Sequence, residues 1–377
     1  MIDSPGFLWT ILFFVLAIFP LVVLHELGHL LVGRLFGVRA DVFSIGFGKS
    51  LAAWRDRYGT RWQVGWLPLG GYVKFAGDMS AASEPSDEWL RLPAEERNRT
   101  FQSKPVWQRA LIVLAGPAAN FAFAILVFVA VFGLYGESRT PPIVASVVAG
   151  SAAEAGGLRA GDRIVQIAGS EVTRFEDIAR TVAMRPNETL PVMIERGGTA
   201  LTLSLTPRAD LLRDRFGNEF KRGLLGIAAA KRITVPLSPI EAVGASLRFT
   251  VASVQMMAET LWQIVSGRRS VAELGGPVKI AQVSGQQATL GPLEFVLFMT
   301  MISINLGFIN LLPIPTLDGG HLAFYAAEAV RRKPVGLAAQ EWAFRGGLAI
   351  LLGFMVFVTI NDLAGLGLFA GLAGLIG

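Results

Sequence analysis

Residues 22–31, VVLHELGHLL, put two histidines and a glutamate inside a run that otherwise has the composition of a membrane-crossing helix. The preceding stretch, Phe7 to Leu24, carries no charge and is close to the ~20 apolar residues that span a bilayer. Ionisable side chains are costly there, and a chain keeps them for function. Helix positions four apart share a face, so H-E-x-x-H lets His25 and His29 hold one metal ion with Glu26 beside it. The chain has only three histidines and no cysteine, which excludes a thiolate site. A hydrolytic zinc site needs three protein ligands and an open position. The ion brings a bound water's pKa toward ~7, and a carboxylate, here Glu26, accepts its proton. The plainer reading is a polar cluster that seats a helix end at the interface.

The third ligand is sought in SINLGFINLLPIPTLDGGH, residues 303–321. Asn305 and Asn310 interrupt apolar sequence, and Pro313 and Pro315 stop a helix and force extended chain. Non-helical backbone at membrane depth belongs where it lines a cavity, so these four residues are candidates for contact with a substrate. Asp318 is the only carboxylate between Glu294 and Glu328, and Gly319-Gly320 permits a sharp turn around it. It is the candidate third ligand. His321 is its rival, or a group hydrogen-bonding behind a ligand, or an ordinary loop histidine.

Apolar runs at 7–24, 110–135, 295–312 and 342–360 predict four transmembrane helices. The first run lacks a basic start and a cleavage site, so a signal peptide is not expected. Twelve Lys and Arg lie from Arg34 to Arg109, and Arg331, Arg332, Lys333 and Arg345 follow the third run. Short basic loops stay inside, which predicts both termini outside. The stretch between the second and third runs is also outside, being too long for its eighteen Lys and Arg to hold it back. The net charge of +5 forms no nucleic-acid patch.

Trp62, Val64 and Trp66 alternate with Arg61, Gln63 and Gly65 in a strand pattern. With a turn at 56–60, they predict a β-hairpin within 43–75, dipping into the membrane interface or packing on the helices. Residues 78–104 read as a polar surface loop. Between the second and third runs, strands at 142–148 and 162–169, helices at 151–157 and 175–184, and a hairpin turning at Gly197-Gly198 form a compact α+β unit. Ser238-Pro239-Ile240-Glu241 is a capping box opening an amphipathic helix. Its stripe of Ile240, Val243, Leu247, Val251, Val254, Met257, Leu261 and Ile264 lies on the membrane or against the spans. Gly28, poor for a helix, leaves room either for a substrate or for a neighbouring helix.

The piece SAAEAGGLRAGDRIVQIAG resembles the PDZ family, which binds extended peptides, often through a chain terminus. GLLGI at 223–227 is similar to that family's carboxylate-binding loop. With HELGH, IGFGK, PLGGYVKF, AGPAANF, GGPVKIAQ and NLLPIPTLDGGH, the chain nearly end to end resembles the site-2 protease family of intramembrane zinc metalloproteases, peptidase family M50, RseP type. The resemblance implies Zn2+ on His25, His29 and Asp318, with Glu26 as base. It implies substrate contact at Asn310 and a membrane-dipping β-element at Gly46 to Val73, with Gly46 and Gly48 touching substrate. The best-known members carry two PDZ domains; one is found here.

The expected architecture is a multipass α-helical membrane protein with four transmembrane helices, a membrane-associated β-hairpin and an extracytoplasmic α+β PDZ domain. The divisions are 1–33 (first span), 34–109 (loop and hairpin), 110–135 (second span), 139–230 (PDZ), 231–290 (amphipathic linker), 291–321 (third span) and 342–362 (fourth span). The resemblance implies a bacterial inner-membrane enzyme, with the PDZ domain and termini periplasmic. The same resemblance implies that it cuts single-span proteins within the lipid bilayer, such as anti-sigma factors or signal-peptide remnants. A PDZ receptor without catalysis and a zinc transporter are the rival functions. Glu26 argues against the first, and spans poor in acidic and histidine residues against the second.

Overall fold

In the computed structural model, which describes residues 6–77, 92–213, 219–267 and 275–365, the first apolar run forms α1 (Phe7–Leu35), continuous through HELGH with Pro20 inside it. It is followed by β1 (Ala40–Arg55) and β2 (Arg61–Phe75). The predicted turn at 56–60 joins them, but the result exceeds a simple hairpin. Both strands are long and bent, so β1 pairs with β2 twice. Phe43 lies opposite Val73 on one side and Trp62 on the other, and Trp54 pairs Trp62 again further along. The rows run 71–75, 40–45, 61–65, 50–55. Gly46 and Gly48 make the bend, with φ of +86° and +87°, which side-chain-bearing residues rarely adopt. The turn is tied to α1: Asp56 accepts from the Arg34 guanidinium, from Trp62 Nε1 at 2.9 Å and from the amides of Tyr58 and Thr60. Residues 78–91 of the predicted polar loop lie outside the described residues; after them comes a short α2 (Ala94–Arg97).

The second apolar run is α3 (Val106–Tyr135). The chain divides into two compact units. One comprises Met1–Val127, Leu247–Ile264 and Ser270–Gly377, the other Phe128–Ser246 and Val265–Arg269. The second contains β3 (Glu137–Arg139), β4 (Val144–Val147), α4 (Ala152–Ala155), β5 (Arg163–Ile167), β6 (Ser170–Glu171), α5 (Phe175–Ala183), β7 (Leu190–Arg196) and β8 (Thr199–Leu205). Apart from the short β3 and β6, which the sequence reading did not include, these follow the order read from the sequence. β9 (Arg208–Arg213), β10 (Glu219–Leu224), β11 (Ile227–Ala229) and β12 (Ile233–Val235) complete it. Strands β6-β5-β7-β8 form an antiparallel sheet, while β9 pairs β10, β4 pairs β11 and β3 pairs β12. Strand residues Ile164, Ile167, Val192, Ile194 and Leu205 form the core with Ile178 and Val182 of α5, an irregularity in β5 bringing Ile164 and Ile167 to the same face.

Then α6 (Pro239–Val265) starts on its predicted cap, with Ser238 and Glu241 exchanging side-chain-to-amide bonds. Its large apolar residues Ile240, Leu247 and Val251 are exposed, and small ones such as Ala242, Ala245 and Ser246 are buried. The linker at 231–290 therefore holds more than one helix. It includes β12 and α7 (Pro277–Leu290), which packs on α1. The span expected over 291–321 is also not one helix. α8 (Pro292–Asn310) stops before the prolines, as they predict, and Asp318 opens α9 (Asp318–Arg331). Asp318 and His321 thus stand on a helix instead of a glycine turn; a carboxylate in the first turn suits the helix dipole. The last element is α10 (Leu337–Gly365). Its Asp362 accepts from the Gly276 and Lys279 amides at 3.1 and 2.9 Å, satisfying α7's free N-terminal donors. α1, α3, α8 and residues 338–363 of α10 are the four helices, among the described residues, long and apolar enough to cross a membrane.

Candidate metal centre

One face of α1 carries His25 and His29, both buried. Their Nε2 atoms lie 3.2 Å apart, and Asp318 of α9 reaches them at 3.1 Å from His25 and 3.5 Å from His29. One ligand atom from each falls within 4.8 Å of the others. The surroundings fix how these atoms present themselves. His29 Nδ1 is 2.9 Å from the Ile112 carbonyl, which only accepts, so Nδ1 carries the proton and Nε2 turns its lone pair inward. His25 Nδ1 is 3.2 Å from the Asn120 amide nitrogen, while Asn120 Oδ1 is buried without a partner. A half-turn of that amide gives Oδ1 the Nδ1 proton and presents the second lone pair to the same point. Asp318 Oδ2 is likewise buried without a hydrogen-bond partner. Three electron-rich atoms converging in a buried place repel one another unless a cation lies between them. The donor set of two imidazoles and a carboxylate fits zinc with a fourth position open.

The centre forms because two helices come unusually close. A Cβ on Gly28 would stand 2.3 Å from the Ala115 carbonyl, so Gly28 serves the crossing of α1 and α3 and not a substrate. One position on, a Cβ at Gly116 would lie 2.3 Å from His29 Nε2 and 2.8 Å from His25 Cε1. Ser303 of α8 donates to the Asn120 carbonyl at 2.9 Å and ties a third helix to the pair. Gly116 and Asn120 carry no assigned role in the sequence reading, although AGPAANF held the signal: a glycine and an amide four apart in an apolar span.

A cavity of about 210 Å³ opens onto the cluster. Its lining includes Glu26, Asn310, Thr316, His321 and the strand residues Gly71, Tyr72 and Val73. The Val73 amide hydrogen-bonds Glu26. Thr316 has φ of +97° and a buried hydroxyl without a partner, a strained state for a β-branched residue. Of the predicted substrate contacts, Asn310 lines this cavity; Asn305, Pro313, Pro315, Gly46 and Gly48 are not among its lining residues. Pro315 packs against the α10 position of Gly347, and Gly46 and Gly48 serve the bend in β1.

A family model for peptidase family M50 matches residues 13–354. This chain belongs to peptidase family M50. Proteins provisionally named zinc metalloproteases in Agrobacterium fabrum and Rhizobium meliloti are each 44% identical to it, over 94% of this chain and 95% and 96% of their own lengths. Metalloprotease MmpA of Caulobacter vibrioides is 37% identical over 98% of this chain and 99% of its own. This M50 protein is therefore a zinc-dependent metalloprotease of the membrane.

Proposed function

We propose that this M50 protease cuts peptide bonds within or beside the transmembrane segment of single-span membrane proteins, with His25, His29 and Asp318 holding zinc and Glu26 as the base. The observation that carries this reading is the lone-pair cluster that Asp318 of α9 forms with His25 and His29 of α1, a helix apolar enough to cross a membrane. When bound, zinc polarises the substrate carbonyl and acidifies the attacking water. Glu26 takes the water's proton and returns it to the amine as the C–N bond breaks. Its hydrogen bond from Val73 holds the carboxylate beside the cavity. A helix hides its peptide bonds in its own hydrogen bonds, so cutting needs local unwinding. The strand at 71–75 is an outer row of its sheet and lines the cavity, a surface on which an unwound substrate can pair. Asn310 contacts the substrate backbone from the opposite segment.

Residues 139–230 are read as a periplasmic PDZ domain, with both termini periplasmic and the enzyme in a bacterial inner membrane. A groove of about 190 Å³ supports the PDZ reading: it is lined by Phe175, Ile178 and Val182 of α5 and by Gly223 to Ile227, the GLLGI loop. It suits a terminus-bearing peptide. Substrates already trimmed outside, such as anti-sigma factors or signal-peptide remnants, fit this arrangement. The test compares membrane proteomes of cells carrying wild type or Glu26→Gln. Single-span fragments accumulate in the variant; identical fragment profiles reject the function.

A further inference from the structure

The third histidine of the chain has no part in the ligand cluster, yet it faces the same cavity. The first turn of α9 shows why. A Cβ at Gly319 would lie 2.3 Å from the Leu311 and Leu312 carbonyls, and one at Gly320 would lie 2.4 Å from that of Ile314. Positions 319 and 320 are thus pressed against the broken segment after α8. Positions 318, 321, 325 and 328, spaced by three and four, share the other face. Asp318 and His321 line the cavity. Tyr325 comes next, its ring centroid 6.5 Å from that of His321, and Phe344 of α10 stands at 5.0 Å. Tyr325 is fixed from behind. The Arg109 guanidinium lies 4.9 Å from its ring centroid and pairs with Glu328 at 2.7 Å. The imidazole therefore sits between two rings, at the wall of a cavity that also holds the base. The metal-capable group comprises His25, His29 and Asp318 without it.

We propose that His321 is a catalytic hydrogen-bond donor to the peptide carbonyl oxygen as it becomes negative. The inference rests on the proteolytic reading of this cavity. Water's oxygen attacks the carbonyl carbon while Glu26 takes its proton, and the carbonyl π pair moves onto oxygen. A ring N–H of His321 hydrogen-bonds that oxygen. The pair then re-forms the C=O bond as C–N breaks, and the proton held by Glu26 goes to the amine. A donor aimed at charge that exists only in the transition state raises kcat and leaves KM nearly unchanged.

The experiment uses the full chain in proteoliposomes, with a synthetic peptide bearing one apolar span as substrate. Expected for His321→Phe, which keeps a ring between Tyr325 and Phe344, is a kcat lower by about 100-fold with KM and zinc content unchanged. His321→Gln, which keeps an N–H, recovers most of the loss. Two inhibitors add a readout independent of turnover. A phosphinate peptide, whose tetrahedral oxygens mimic the transition state, binds His321→Phe more weakly by about the same factor. A hydroxamate, which only chelates the metal, binds both equally. Loss of zinc in His321→Phe makes the residue a ligand and overturns the inference. Unchanged kcat and unchanged phosphinate binding also overturn it, as does a loss confined to KM. Wild-type turnover by Glu26→Gln in the same assay would sink the underlying mechanism instead, while leaving the inhibitor comparison to decide on His321.

Discussion

The two units of the chain use side chains in opposite ways. In the unit at 128–246, large aliphatic residues point inward: Ile164, Val192, Ile194 and Leu205 have no exposed surface. In the helical unit, large apolar residues such as Leu12, Leu352 and Phe357 are exposed, and the small residues Ala17, Gly33, Thr300, Ser303 and Gly307 are buried beside a few large ones such as Leu21 and Ile304. Water drives the first arrangement through apolar burial. Lipid is as apolar as leucine, so helix contacts in the second come from close packing of small residues and a few hydrogen bonds. A glycine in one unit does the work of an isoleucine in the other.

That contrast is open to direct challenge, most strongly at the metal centre. Gly116→Val puts branched carbon where the imidazoles lie, and Asp318→Ala removes a proposed ligand. Both variants are expected to lose zinc affinity by at least about 100-fold, beyond the effect of changes behind a ligand, as measured by chelator competition. Full zinc retention by Gly116→Val would mean that α1 and α3 can separate freely, and the close-packing account would fail. A middle-sized effect compares truncations in the two units. Ile194→Ala should cost about 2–5 kcal/mol and Leu352→Ala no more than about 0.5 kcal/mol, read as hydrogen-exchange protection in β5–β8 and in α10 of the full chain. Equal losses would erase the distinction.

The smallest effect concerns acid. Burial works against ionisation of Asp56, yet hydrogen bonds from Trp62 and Arg34 hold its pKa at about 2, below the ordinary 3.8. In the other unit, Asp162 is also lowered, chiefly by its hydrogen bonds from Arg196. A depressed carboxylate contributes stability that is full above its unfolded pKa and lost as pH falls through the folded one. Both ties are therefore intact at pH 5. The Asp56 contribution fades from about pH 4 toward 2, and Asp56→Asn should flatten that part of the acid unfolding profile. An unchanged profile would mean that the turn does not anchor α1.

The same contrast decides what could be read in advance. Strands β7 and β8 and the turn at Gly197-Gly198 were legible from their strand composition around a glycine pair, and in β7 burial alternates as a half-buried strand requires. HELGH and LDGGH were legible because ionisable groups stand out in apolar sequence. Gly116 and Asn120 were not, because a small residue buried at a helix crossing looks the same as one facing lipid. α7 was hidden for a related reason: its start depends on Asp362, more than eighty residues later. The doubled pairing of β1 depends on a bend at Gly46 and Gly48, and strand alternation alone does not say how often a partner is used.

His29 and Asp318 are 289 residues apart. At about 5–20 residues per second of synthesis, the second follows the first by roughly 15–60 s. During that interval the nascent chain has Glu26, the proposed base, and both proposed histidine ligands, but not the proposed carboxylate ligand. On the proposed ligand set, the centre stays incomplete until Asp318, in the last sixth of the chain, has been made. With those ligands, chain order would do for this enzyme what a removable pro-segment does for a secreted protease.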